Sequence, residues 1–136
     1  MSTPTAFALT SFIAWTLALL ILMELVRSKM VLTKQVPANA FVPDNANLSP
    51  FMQRLARAHA NCLEGLPVFG GLMLVALVTQ RTGVTDPLAL GLLGARVVQS
   101  LIHLASLSPL AVTLRFTAFA VQMVIGVWWT VGLLSA

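Results

Sequence analysis

The stretch Ala6-Phe-Ala-Leu-Thr-Ser-Phe-Ile-Ala-Trp-Thr-Leu-Ala-Leu-Leu-Ile-Leu-Met-Glu-Leu-Val26 carries a single charge, Glu24, close to its end. A transmembrane helix needs roughly 20 mostly apolar residues, and this run supplies them. Three more runs of the same kind follow at about 63–80, 87–107 and 110–134. The second has a more polar, amphipathic lead-in from about Ser49, so its helix is expected to project past the bilayer surface. The chain is 58% hydrophobic and only 9% charged, with a mean hydropathy of +0.91, which excludes an ordinary soluble domain. The expectation is an all-α integral membrane protein, one transmembrane domain over residues 1–136.

The connections set the topology. Two prolines and a set of turn formers make residues 35–47 an irregular loop, after which Asn47 or Ser49 can cap the next helix with Pro50 in its first turn. Arg81-Thr-Gly-Val-Thr-Asp-Pro87 is a short link with Asp86 as the expected cap, and Leu107-Ser-Pro109 is tighter still. Links this short make neighbouring helices antiparallel, giving an up-down four-helix bundle. Such a bundle has little room for a large internal pocket, so a ligand site is expected between subunits. Gly70-Gly71, Gly91 and Gly94-Ala95 are small residues suited to close helix contact there.

The first run lacks the basic start of a signal peptide and is read as a retained anchor. Arg27, Lys29, Lys34, Arg54 and Arg57 flank the first connection, whereas Arg81 and Asp86 nearly cancel at the second. Basic residues favour the cytoplasmic side, so the long loop is expected there and both termini outside, in a bacterial inner membrane or a eukaryotic endomembrane. The net charge of +4 is split between that loop and the spans. It forms no solvated basic stripe, which argues against nucleic acid. The lone Cys62 permits no internal disulfide, and no metal-ligand spacing is present.

Ionisable groups inside a bilayer are costly and tend to face one another or a wet cavity. Here they share one depth: Glu24 and Arg27 late in the first run, Arg57 and Glu64 early in the second, Arg96 late in the third, Arg115 early in the fourth. Arg57, Asn61 and Glu64 follow i, i+4, i+7 and share a helix face. They offer a guanidinium fork, an amide and a carboxylate, which together match a zwitterionic, peptide-like ligand. The alternative is a surface ion-pair network near the headgroups. Arg96, Gln99, Ser100 and His103 repeat the pattern on the third helix, where each buried polar group costs energy unless paired; interhelical hydrogen bonding is the alternative use. Arg115 lies near the same face with Phe116, Phe119 and Gln122 along its helix. Snorkelling is one use for a lone arginine, but beside Arg96 it calls for an anion, either Glu64 or a ligand. His103 could donate a hydrogen bond or shuttle a proton, whereas His59 lies off the Arg57 face. Trp128 and Trp129 are expected as interfacial anchors, and Glu24 and Arg27 as mutual partners.

The run Arg57-Ala-His-Ala-Asn-Cys-Leu-Glu-Gly-Leu-Pro-Val-Phe69 resembles the second-helix signature of the MAPEG family, the membrane-associated proteins in eicosanoid and glutathione metabolism. Ala95-Arg96-Val97 and the later Arg115 look like the family's third and fourth helices, so the resemblance covers nearly the whole chain. It implies a homotrimer with sites between adjacent subunits, open to the cytoplasm and binding glutathione as cosubstrate, without a metal. By match of position, Arg57, Asn61 and Glu64 would hold the tripeptide's charged ends, Arg96 and Gln99 would contribute from the third helix, and Arg115 would stabilise the thiolate. The chain departs from the pattern in having no tyrosine; His103 and Gln99 stand where several members carry one, and Ala60 stands where some carry a further basic residue.

The function expected on this basis is a glutathione transferase or peroxidase acting on lipophilic electrophiles or hydroperoxides that enter from the bilayer, with Arg115 and His103 as catalytic residues. A non-catalytic lipid-binding or scaffold member of the same family is the second reading. A small transporter is the third, weakened by the clustering of charge in one leaflet.

Overall fold

The computed structural model describes residues 3–135, so residues 1, 2 and 136 of the expected domain lie outside the described range. Four helices are long and apolar enough to cross a membrane: α1 (Pro4–Leu32), α2 (Pro50–Val78), α3 (Asp86–Ala105) and α4 (Pro109–Leu134). Among the described residues there is no strand. Each helix begins with a proline in its first turn, where a missing N–H costs nothing. Thr3, Ser49 and Ser108 cap α1, α2 and α4 by accepting from the amides of Ala6, Met52 and Ala111.

The helices alternate in direction, as the two short links require of α2, α3 and α4. The 33–49 loop and the α3–α4 link lie at one face, and the α2–α3 link lies at the other with the start of α1 and the end of α4. The observed helices differ from the sequence-based spans mainly at their ends. α1 continues to Leu32 instead of ending near residue 26, and α3 stops at Ala105, two residues early, where Ser106 turns extended. α2 is not a uniform α-helix. A π-helical turn at Leu66–Gly70 interrupts it, at Pro67, whose missing N–H removes one intrahelical bond and forces a local rearrangement.

Polar contacts tie both faces together in ways that charge counting does not reveal. Asp86 is not the cap of α3; that position is Thr85. The Asp86 carboxylate instead accepts from the backbone amide of Thr5 at 3.1 Å and from its hydroxyl, which also meets the Thr85 hydroxyl at 2.6 Å. Nor does Arg81 answer Asp86. Its guanidinium donates to the carbonyls of Gly132, Leu133 and Ser135, closing the C-terminal end of α4, where helix carbonyls lack partners and a positive charge meets the negative end of the dipole. At the loop face, Arg54 does the same for α3 through the Leu104 carbonyl at 2.9 Å. Arg27 pairs with Glu24 at 3.2 Å as expected, and it also donates to the Val42 carbonyl and to Asn45 Oδ1. Asn45 is fully buried with φ of 55°, a left-handed conformation that asparagine tolerates. Its amide donates to the Met52 carbonyl at 2.7 Å, pinning the loop onto α2.

The core runs the length of the bundle through Phe12, Met52, Leu55, Met73, Leu92 and Trp129, all nearly inaccessible. Trp129 is therefore a core residue and not an interfacial anchor; Trp128, its neighbour, is the one that faces outward.

Candidate functional site

All four helices meet at Arg96. Its guanidinium carbon sits 5.4 Å from the centre of the Phe12 ring on α1 and 6.0 Å from that of Phe119 on α4, geometry in which a cation is attracted to the aromatic faces. Nη1 donates to Asn61 Oδ1 on α2. Gly65, one helical turn beyond Asn61, makes room for the far nitrogen: a Cβ there would stand 2.8 Å from Nη2. Arg96 is wholly buried, and Nε and Nη2 have no hydrogen-bond partner among the described residues.

No carboxylate answers this charge. Among the described residues the one ion pair is Arg27 with Glu24, so Glu64 is not the counter-ion that two intramembrane arginines invited. Glu64 is exposed, as is Arg57 two turns before it, and Asn61 between them is half-buried. Arg96 therefore stands behind Asn61, one layer back from the accessible surface.

Gln99, nearly inaccessible on α3, donates from Nε2 to the same Asn61 Oδ1 at 2.9 Å, and its own Oε1 accepts from Gln122 Nε2 on α4 at 2.8 Å. Ser100 Oγ lies 3.1 Å from Cys62 Sγ, both buried. Arg115 Nη1 lies 3.1 Å from His103 Nδ1. A guanidinium only donates, so Nδ1 accepts and the ring proton resides on Nε2.

Two cavities open beside these groups. One, of about 350 Å³, is lined by Arg57, Asn61, Gln99, His103, Arg115 and Phe119 among others. The other, of about 510 Å³, is an apolar groove between α2 and α4 that runs from Asn61, Glu64 and Gly65 past Leu72 and Met123 to Val131. Phe69 and Phe119 form its floor, edge to face at 6.3 Å, and Gly126 admits the Phe69 ring, since a Cβ there would lie 3.0 Å from it. Asn61 and Phe119 line both cavities, so the chamber that carries the hydrogen-bonding side chains and the apolar groove adjoin at that pair.

The structure thus gathers Arg57, Asn61, Gln99, His103 and Arg115 around one chamber, sets Glu64 at the mouth of the groove, and keeps Arg96 beneath Asn61. Gly65, Phe12 and the Cys62–Ser100 contact join the site without a signal in the charge spacing, and Gln122, expected only beside Arg115, bonds to Gln99 instead. A glycine one turn after Asn61 was the available signal for Gly65. Among the described residues no cluster of three potential metal ligands exists.

A family model described as the MAPEG family matches residues 5–135. Comparisons with curated proteins and with solved structures found no match.

Proposed function

The chain belongs to the MAPEG family, and from that membership, in a multi-pass membrane protein whose family includes glutathione transferases, we propose that it activates glutathione as a thiolate for attack on lipophilic electrophiles or hydroperoxides. The observation that carries this reading is the junction at Asn61 and Phe119, where a chamber lined by several hydrogen-bond donors adjoins an apolar groove. A charged tripeptide and a lipid-soluble second substrate need those two environments side by side.

The chemistry follows from the donors. An ordinary thiol has a pKa near 8.5, so only a few per cent is thiolate at neutral pH. A guanidinium held beside the sulfur in a low-dielectric setting favours the charged form, and Arg115, half-buried in the chamber wall, takes that role. The sulfur lone pair then forms the bond to an electrophilic carbon while the leaving group departs with its electron pair. His103 offers its Nε2 proton to negative charge that develops on the substrate. Arg57 and Asn61 bind the tripeptide's acceptors, Glu64 its ammonium group, and Arg96 and Gln99 hold Asn61 in place.

In this reading the protein is a homotrimer. Arg57, Glu64 and the open groove lie on the outside of a single bundle, where a neighbouring subunit would enclose them. The loop face is cytoplasmic because the basic residues flank it.

The test is an ultraviolet difference spectrum of the detergent-solubilised protein titrated with glutathione. A saturable thiolate band that Arg115→Ala removes sustains the reading. A folded, oligomeric protein with no band shifts it to a non-catalytic lipid-binding member, which the apolar groove and the absence of tyrosine favour.

A further inference from the structure

The amide groups of Gln122, Gln99 and Asn61 form a chain across three helices whose direction has only one solution. The oxygen and nitrogen ends of an amide are alike in shape, so only their partners decide which end points where. At one end of this chain stands the Ala118 carbonyl, 3.1 Å from Gln122 Nε2. A carbonyl cannot donate, so Gln122 must present its NH2 group there, and the same nitrogen reaches Gln99 Oε1 at 2.8 Å. At the other end stands the Arg96 guanidinium, which cannot accept, so Asn61 must present its oxygen to it. Gln99, between them, is oriented from both sides: it accepts from Gln122 and donates to Asn61 Oδ1 at 2.9 Å. Reversing any one amide would set donor against donor or acceptor against acceptor at a buried contact, the costly outcome in a low-dielectric interior. Gln122 Oε1 is itself buried without a partner among the described residues, so the group gives up its own acceptor to keep this direction.

The consequence appears at the cavity. With Oδ1 of Asn61 held by two donors, Nδ2 is left over, and no residue among those described accepts from it, at a side chain that lines both cavities. We propose that Gln122 is a positioning residue that, through Gln99, keeps the second donor on Asn61 Oδ1 and so holds in place the NH2 group whose direction Arg96 sets, so that the site presents a donor there and selects a ligand acceptor such as a carboxylate or thiolate. Gln122 does not line the chamber or the groove; it acts through its neighbours. For glutathione as the ligand, this rests on the functional reading above.

The experiment is a double-mutant cycle on the full-length protein in detergent, with glutathione binding as the readout. Gln122→Met keeps the length of the side chain and removes its donor. It should raise the Kd for glutathione about tenfold, the factor set by one ordinary hydrogen bond, and it should have no effect in an Asn61→Ala background. Equal losses in both backgrounds would mean a general structural role and would overturn the proposal; so would no loss in either. A second measurement needs no ligand: in protein labelled with nitrogen-15 at asparagine, the Asn61 side-chain NH2 signal should shift or broaden in Gln122→Met, as the Gln99 donor on Oδ1 is no longer held from behind. An unchanged signal overturns the proposal. If the wild type binds no glutathione, the functional reading falls, and the Asn61 signal alone decides the positioning role. Gln99→Met, which cuts the chain at its middle link, gives the same change of signal if Gln122→Met does not fold.

Discussion

Arg115 donates to Nδ1 of His103 across the α3–α4 link at 3.1 Å, so an arginine has chosen the tautomer of an imidazole that lines the chamber. Removing Arg115 therefore takes away the cation proposed to hold the thiolate and also frees the ring. Arg115→Ala should lower conjugation turnover at least about a hundredfold, the scale of losing one preorganised electrostatic stabiliser, while size-exclusion chromatography shows the oligomer unchanged. Turnover at the wild-type rate would remove Arg115 from the mechanism.

Arg57 is exposed and makes no hydrogen bond or ion pair among the described residues. Its charge is free for a ligand and contributes little to folding. Arg57→Ala is expected to leave thermal stability within about 0.5 kcal/mol and to weaken glutathione binding about tenfold or more, as loss of a charge-assisted bond does. Calorimetric titration that returns the wild-type dissociation constant would undo the assignment.

Gly65→Ala tests the seat of Arg96. The added methyl would come within 2.8 Å of Nη2, and Phe12, Phe119 and Asn61 leave the guanidinium little freedom to retreat. Overpacking of this kind costs about 1–3 kcal/mol, and it should also disturb Asn61 and so weaken glutathione binding. A variant as stable as the wild type, with equal affinity, would mean that Arg96 moves freely.

Arg81→Ala works at the opposite face. It removes three bonds to the last carbonyls of α4, and a loss of about 1–3 kcal/mol follows from bonds to a charged donor. Because the chamber lined by Arg57, Asn61 and Arg115 lies toward the other end of the bundle, glutathione affinity should not change. Thermal denaturation and a binding isotherm on the same preparation check both halves.

Much of the fold is legible in the residues themselves. Apolar runs of bilayer length, each opened by a proline and joined by one long loop and two short links, leave few arrangements other than four antiparallel helices. The shared depth of Arg57, Asn61, Arg96 and Arg115 is also legible, because helical spacing converts directly into position along an axis. What spacing does not give is the rotation of one helix against the next, and partners depend on it. Arg96 has a carboxylate, Glu64, at a compatible depth and yet meets Asn61 and two aromatic rings. Arg81 and Asp86, five residues apart with opposite charges, serve α4 and α1 separately. Trp128 and Trp129 look alike in sequence, but one faces outward and the other fills the core.

The bond between Thr5 and Asp86 joins residues 81 positions apart. During synthesis α1 is made first, yet the amide of Thr5 in its opening turn has no acceptor from the chain until the third helix begins. Closing so long a loop carries an entropic cost that later packing must offset. Until then the start of the first helix lacks this tie, so the first residues made are fastened only when the third helix arrives.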